Sequence, residues 1–205
     1  MKGVIQRTYT IKKNNFGVVS APNTLGSGHN IYIHKDNLSK FPYPNGVSLA
    51  RLLDNSELTL GVRADLEFGL TLSPILRSHK NDRNMITRSS QDLADGLVKM
   101  LSRKRIDYFI EYNFVVKFVA DKIGVNINDF VEIPILENKG EYIRGAVECP
   151  NTPWGRDVIA KINRILVIRR GTAEFRNLNK KWFVSATNRN QYWSKYQELI
   201  LDVKQ

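Results

Sequence analysis

The sequence predicts an α/β fold with a mostly parallel sheet. Short apolar segments alternate with stretches of helical periodicity between residues 59 and 136. Strands separated by helices of this length are typical of parallel sheets. The segment 106–110 is almost continuously apolar, as expected of a strand that is covered on both faces. A hydrophobic fraction of 42% with 25% charged residues is ordinary for a globular chain, which excludes wholesale disorder.

The middle of the chain supplies the elements of this sheet. Ser89 and Asp92 provide a hydroxyl cap and an early carboxylate for one helix, and Leu93, Leu97 and Leu101 then recur on one of its faces. The predicted strands are 59–63, 85–88, 106–110 and 130–136. The predicted helices are 67–78, the one that starts at Ser89 and carries its apolar face as far as Leu101, and 113–123.

The two ends of the chain carry further predicted elements. Residues 29–34 and 142–149 read as strands, and Thr152 with Pro153 marks the start of a helix that ends at a basic turn before Gly171. Two more helices fit 172–183 and 188–203. The apolar residues of the helix after Thr152 that are expected to face inward are Val158, Ile159, Ile162, Ile165 and Leu166.

The net charge is the strongest bulk feature. It is +11, with a pI near 9.8, and residues 139–205 hold 13 basic against 6 acidic side chains. Most of these basic residues are single and spaced along helices, which indicates a solvated basic surface. A polyanion such as nucleic acid is the alternative partner, because lysine and arginine displace counterions from phosphates.

Several chemistries are not indicated by the residues. Cys149 is the single cysteine, so no internal disulfide can form. His29 and His34 are five residues apart and face opposite sides of one strand, so metal binding is not expected. No serine–histidine–acid or cysteine–histidine set has a recognisable context, which predicts a protein that is not an enzyme and uses no cofactor. The first residues lack the apolar core of a secretory signal, and no apolar run reaches the roughly 18 residues of a membrane helix.

An ordered series of short motifs runs along almost the whole chain. Its members are Gly3-Val4-Ile5, Ser20-Ala21-Pro22, Leu60-Gly61-Val62-Arg63, Arg105-Ile106-Asp107, Thr152-Pro153-Trp154-Gly155-Arg156 and Lys181-Trp182-Phe183. The series resembles the family 3 extracellular solute-binding proteins, which are the periplasmic receptors of amino-acid ABC importers. The family's acidic residue at the place of Asp107 is structural, so no binding role is assigned to it.

The resemblance implies a two-lobed, periplasmic-binding-protein-like α/β fold with the ligand in the cleft between the lobes. Lobe two would comprise residues 33–138 and be complete. Lobe one would comprise 1–32 and 139–205 and be truncated, since a complete family member has a signal peptide and two further strands ahead of this point. The segments 29–34 and 142–149 would run between the lobes.

The resemblance also implies ligand-binding residues. Lys13 takes the place of an arginine that clamps the ligand carboxylate, and lysine keeps the charge but loses the planar fork. Thr8 matches a position whose hydroxyl contacts ligand. Tyr112 stands where the family commonly has an aspartate for the ligand ammonium, with Glu111 immediately before it.

Arg63 is a candidate from its position in the pattern. It ends a predicted strand, and open α/β sheets bind ligands at the carboxyl ends of their strands. If Arg63 and Lys13 face one cleft, two cations lie near each other without an obvious acidic partner. This arrangement favours a small anion or a carboxylate-bearing ligand.

These observations lead to the hypothesis of a binding protein for a small polar, carboxylate-bearing solute such as an amino acid, which serves an ABC importer or a sensing system. The resemblance implies a periplasmic location and a membrane component of an importer as partner. The missing strands of lobe one favour self-association into a homo-oligomer. Two alternatives stay open: binding of a polyanion through the basic C-terminal helices, and a non-functional remnant that folds.

Overall fold

The structure, a computed structural model, describes residues 5–9, 17–42, 45–64, 68–89 and 93–203, with the backbone alone at 5–9 and 93. The chain forms two compact units. The central unit is Gly28–Glu141, and the terminal unit combines Met1–Ser27 with Tyr142–Gln205.

The central unit is built on a five-stranded sheet with the order β6-β5-β7-β4-β8. Strand β5 is parallel to β6 and β7, whereas β4 is antiparallel to both of its neighbours, β7 and β8. The mostly parallel sheet that the alternation predicted is therefore confirmed, with β4 as the one reversed strand. The strands are β4 (Asn30–His34), β5 (Leu60–Arg63), β6 (Met85–Arg88), β7 (Tyr108–Glu111) and β8 (Phe130–Pro134).

Helices cover both faces of this sheet. On one face α1 (Leu49–Leu53) and α2 (Gly69–Ser78) pack over Ile31 and Ile33, and on the other α3 (Leu93–Ser102) and α4 (Asn113–Ile123) pack over Tyr32. Successive strand residues point to opposite faces, so the apolar run 31–33 fills both cores. Glycine at 61 lets α3 approach β5, because a Cβ there would lie 2.7 Å from Ile106 and 2.8 Å from Leu97.

The terminal unit is an antiparallel sheet arranged around one long strand, β9 (Tyr142–Pro150). Strand β1 (Ile5–Tyr9) lies on one side of β9, and β2 (Gly17–Val19) and β3 (Thr24–Ser27) share the other side. The sequence reading missed β2 and β3, because each is too short to show an alternating pattern.

Three helices complete the terminal unit: α5 (Pro153–Arg169), α6 (Ala173–Phe183) and α7 (Arg189–Tyr196), which continues into a π-helical turn at Gln197–Leu201. The predicted start of α5 is confirmed, since the Thr152 hydroxyl accepts a hydrogen bond from the Gly155 amide at 3.1 Å. The inward prediction is wrong at Ile165, whose side chain is 58% exposed, while Ile159 and Leu166 are buried. Of the five apolar residues that were expected to face inward, Ile165 alone is exposed, and Val158 and Ile162 are half-buried.

The prediction that 29–34 and 142–149 run between lobes is also wrong. Strand β4 is hydrogen-bonded on both sides within the central unit, and β9 on both sides within the terminal unit. Apolar side chains on successive positions of β4 require cover on two faces, and the helices on the two faces of the central sheet provide it. Asp107 has the structural role predicted for it: its carboxylate accepts hydrogen bonds from the Thr59 amide at 2.9 Å and from Lys40 at 2.9 Å.

Candidate functional site

The carboxyl edge of the central sheet holds a buried ion pair. Strands β5 and β7 are parallel, with Leu60 opposite Tyr108, so their last residues, Arg63 and Glu111, end side by side. Arg63 Nη1 donates a hydrogen bond to Glu111 Oε2 at 3.2 Å. The Glu111 side chain is 2% exposed and that of Arg63 is 21% exposed. Arg63 is therefore the member of the pair that solvent reaches.

This pairing corrects one sequence expectation. Arg63 was expected to lack an acidic partner, and instead Glu111, 48 residues away in the chain, provides it. The second oxygen of Glu111, Oε1, accepts a hydrogen bond from the Tyr112 amide at 3.0 Å. Burial raises the pKa of Glu111, while the Tyr112 amide and Arg63 act in the opposite direction.

An aromatic cluster lies beside the ion pair. The Tyr112 ring stacks on the His29 ring with centroids 3.8 Å apart, and on Phe114 with centroids 5.4 Å apart. The His29 ring also contacts Phe68 at 5.1 Å. Burial, followed by the charges of Glu111 and Glu141, raises the pKa of Tyr112 to about 12. The Tyr112 ring, at the position where the family commonly has an aspartate for the ligand ammonium, thus stacks on side chains of the central unit.

His29 is a site residue that the sequence reading did not identify. It is 4% exposed, and within the described part of the chain its Nε2 has no hydrogen-bond partner. Burial and the nearby charge of Arg63 lower the pKa of His29 to about 4. The available signal was its position directly before β4: this strand runs antiparallel to β7 with Asn30 opposite Glu111, so its beginning lies at the edge where β7 ends.

The depressed pKa of His29 predicts a stability that falls in acid. Between pH 6.5 and pH 4 the unfolded chain binds a proton at His29 that the folded protein does not, so the free energy of unfolding drops by about 3 kcal/mol as pH falls through this window. Glu111 has the opposite effect on the free energy of unfolding, because its pKa is raised in the folded protein and protonation in acid therefore favours the folded state. Urea unfolding followed by circular dichroism at pH 6.5 and 4.0 should show a smaller drop for His29→Phe than for the unsubstituted protein, and equal drops would contradict the prediction.

A pocket of about 250 Å³ opens next to Arg63. One wall is apolar and comprises Val62, Phe68, Leu76 and Met85. The charged lining residues are Arg63, Arg77 and Lys80, and no carboxylate is among the described residues that line it. The pocket can thus hold an apolar group together with a negatively charged one.

The structure brings three of the five predicted binding residues together: Arg63, Glu111 and Tyr112. Thr8 lies in β1, opposite Gly145 of β9, and only its backbone is described. Lys13 lies outside the described residues. In the part of the chain that is described, no group of three or more histidine, cysteine, aspartate or glutamate side chains is arranged to hold a metal ion. No helix among the described residues has the length and apolarity needed to cross a membrane.

Comparisons with known proteins give a match at the level of structure. No family model matches the sequence, and no curated protein matches it either. The periplasmic binding protein XoxJ from Methylobacterium extorquens AM1 superposes with a TM-score of 0.57 at 19% identity, over 82% of this chain and 72% of that one. An ancestral cationic amino acid solute-binding protein gives a TM-score of 0.61 at 14% identity, over 87% of this chain and 67% of that one.

Another similar structure is the substrate-binding protein of an ABC uptake transporter from Streptococcus pneumoniae with bound histidine, with a TM-score of 0.54 at 16% identity, over 86% of this chain and 65% of that one. The chain therefore has the fold of the periplasmic solute-binding proteins, as the motif series predicted. It spans about two thirds of the length of these structures.

Proposed function

We propose that the protein binds a small carboxylate-bearing solute at the carboxyl edge of the central sheet, with Arg63 as the main ligand-binding side chain. The observation that carries the proposal is the pocket of about 250 Å³ that Arg63 lines together with Arg77 and Lys80. Glu111 offsets part of the Arg63 charge, and Arg77 and Lys80, together with the solvent-exposed part of the Arg63 guanidinium, create a potential that favours an anion.

The chemistry of Arg63 supports this role. A guanidinium has five N–H donors, and Glu111 receives one of them from Nη1. The buried Glu111 carboxylate fixes the position of the Arg63 side chain. The exposed N–H groups of the guanidinium can therefore bind a ligand carboxylate with little further loss of side-chain entropy. The apolar wall beside it, Val62, Phe68 and Leu76, suits a solute with an apolar side chain rather than a purely polar one.

The fold supports a receptor rather than an enzyme. Solved proteins with this fold include binding proteins of ABC importers, and one is an ancestral amino-acid-binding protein that is a precursor of cyclohexadienyl dehydratase. We infer that this chain delivers its solute to a membrane component of an importer or to a sensor, outside the cytoplasmic membrane. Lys13 and Thr8 remain proposed contributors to carboxylate binding, and Glu111 and Tyr112 are proposed to position Arg63 rather than to hold an ammonium group.

Arg63→Ala is expected to weaken the binding of carboxylate ligands strongly. Removing the guanidinium takes away a charge-assisted bidentate contact, which corresponds to an affinity loss of at least about tenfold. Calorimetric titration of a panel of apolar α-amino acids and aliphatic carboxylates measures the effect. Arg176→Ala, on exposed α6, is the control of equal charge and should leave the dissociation constant unchanged.

The alternative of polyanion binding rests on how charge is distributed. The central unit has 15 basic and 15 acidic residues, so the whole net charge of +11 belongs to the terminal unit. In the same pair of variants, equal weakening of binding to a DNA duplex with a steep salt dependence would favour the polyanion function and contradict the receptor.

The terminal unit is also expected to self-associate through α5 and α6. Its exposed large apolar side chains include Ile165, Val167, Ile168 and Leu178, with exposures of 52–73%. Because the same unit carries the excess of positive charge, two copies repel each other at low ionic strength, and association should increase with salt. Sedimentation velocity at 20 and 500 mM NaCl tests this, and Ile168→Lys should keep the protein monomeric at both; a monomer at both salt concentrations without the substitution would contradict it.

A further inference from the structure

A second concave site lies on the other face of the central sheet, beside the edge strand β6. It has a volume of about 180 Å³ and is lined by Arg88, Gly96, Lys99, Met100, Arg103 and Arg105. Four of these six residues are cationic, and none of the described lining residues is acidic. The site is separate in its residues from the pocket that Arg63 lines.

Local structure makes these four side chains converge. Residues 96 and 99 lie three apart on one face of α3, and Arg103, whose amide donates to the Lys99 carbonyl at 3.1 Å, continues this face one residue past the end of the helix. Glycine at 96 leaves room for the guanidinium of Arg88 against the helix, because a Cβ there would displace it. Beyond the end of α3, Lys104 has a left-handed backbone with φ +55°, and the Arg105 amide donates to the Met100 carbonyl at 2.9 Å. This turn brings Arg105 back to the same pocket.

Neighbouring lysines are paired with carboxylates, whereas three of the four cations of the pocket are not paired within the described part of the chain. Lys104 pairs with Asp36 at 2.7 Å, and Lys122 pairs with Asp95 of α3 at 2.8 Å. Across the described residues, Lys99, Arg103 and Arg105 make no ion pair. The central unit has no net charge, so the cluster is not part of a generally basic surface. It is a local concentration of positive charge.

We propose that this pocket binds a compact phosphate-bearing anion. Like charges that converge on one cavity repel each other, and a bound polyvalent anion removes that repulsion while it accepts charge-assisted hydrogen bonds. Arginine forks match the tetrahedral arrangement of phosphate oxygens, and three of the four cations here are arginines. A volume of 180 Å³ corresponds to roughly six water molecules, which suits a small phosphate or diphosphate group and not a groove along a nucleic acid.

The experiment uses inorganic pyrophosphate as the probe in calorimetric titrations of the whole chain. Three consecutive residues provide matched variants of equal charge: Arg103→Gln, Lys104→Gln and Arg105→Gln. We expect saturable binding of one pyrophosphate, an increase of the dissociation constant by about tenfold in each arginine variant, and less than a twofold change in Lys104→Gln, because Lys104 is engaged with Asp36. Circular dichroism melting curves of the three variants establish that each is folded.

The proposal would be overturned by the absence of pyrophosphate binding at millimolar concentration, whether or not a DNA duplex binds, and also by an equal loss in all three variants. The result is independent of the proposed solute site, since Arg63→Ala should leave pyrophosphate binding intact. If Arg63→Ala abolished it, the phosphate would be occupying the pocket of Arg63, and the second site would be refuted.

Discussion

Replacement of Glu111 by alanine is expected to lower the free energy of unfolding of the central unit by about 3–5 kcal/mol, which is the effect of removing one partner of a buried ion pair. The carboxylate is almost completely buried and receives hydrogen bonds from Arg63 and from the Tyr112 amide. The loss should fall near the lower end of that range, because the Arg63 side chain is 21% exposed and keeps some solvation. Hydrogen exchange of the β7 amides measures the change within this unit.

The double variant separates the energetic cost of breaking the ion pair from the cost of removing buried side-chain atoms. Glu111→Ala together with Arg63→Ala should lose less stability than the sum of the two single variants, because the double variant leaves no buried charge without its partner. Strict additivity of the two losses would contradict the pairing. In ligand titrations Glu111→Ala should also weaken solute binding, since Arg63 is then no longer held in position.

Replacement of Arg170 by alanine is expected to destabilise the terminal unit by about 4 kcal/mol, since two hydrogen bonds from a charged donor are lost and their acceptors stay buried. Arg170 is 5% exposed, and its Nη1 donates to the carbonyls of Pro22 at 3.1 Å and Ile200 at 2.6 Å. The guanidinium thus ties the β2–β3 connection to the C-terminal segment. All three tryptophans, Trp154, Trp182 and Trp193, belong to the terminal unit, so their fluorescence in urea reports on it.

The neighbouring residue provides the control. Arg169 is exposed and pairs with the exposed Glu174 at 3.3 Å, and such surface pairs contribute between 0 and about 1 kcal/mol. Arg169→Ala should therefore shift the urea midpoint only slightly. A large shift for Arg169→Ala, or a small one for Arg170→Ala, would show that the buried hydrogen bonds do not hold the unit together.

Most elements of the central unit could be predicted from sequence. Helix α4 begins and ends at the predicted residues, and β5, β6 and β7 lie within one or two residues of the expected bounds. These elements have strong local signals: an apolar run for a buried strand, and apolar residues at helical spacing followed by glycine for a helix. Gly124, with φ +70°, ends α4 in the way such a glycine predicts.

The sequence predictions were wrong or incomplete where the local sequence pattern was weak, or where the same pattern occurs in both buried and exposed positions. The pattern of α5 did not distinguish Ile159, which is buried, from Ile165, which is exposed, because one helix turn looks the same whether or not a neighbour covers it. The strands β2 and β3 exist because β9 is long enough to pair with both of them, and this is a property of the partner. The place of β4 inside the central sheet could not be predicted either, because it depends on the pairing of β4 with β7 and β8.

The sequence by itself determined the alternation of strands and helices, the cap at Thr152 and the placement of Arg63 at a strand end, since each depends on residues within one or two turns of the chain. Only the tertiary structure decided that Arg63 pairs with Glu111, that His29 stacks on Tyr112, and that Arg88 joins Arg103 and Arg105 in one pocket. Those contacts join residues from separate elements, and the register between β5 and β7 and the packing of α3 against β6 bring them together. Charge compensation and desolvation act through distance in space, so the chemistry of both sites follows from the packing of elements that are remote in the chain.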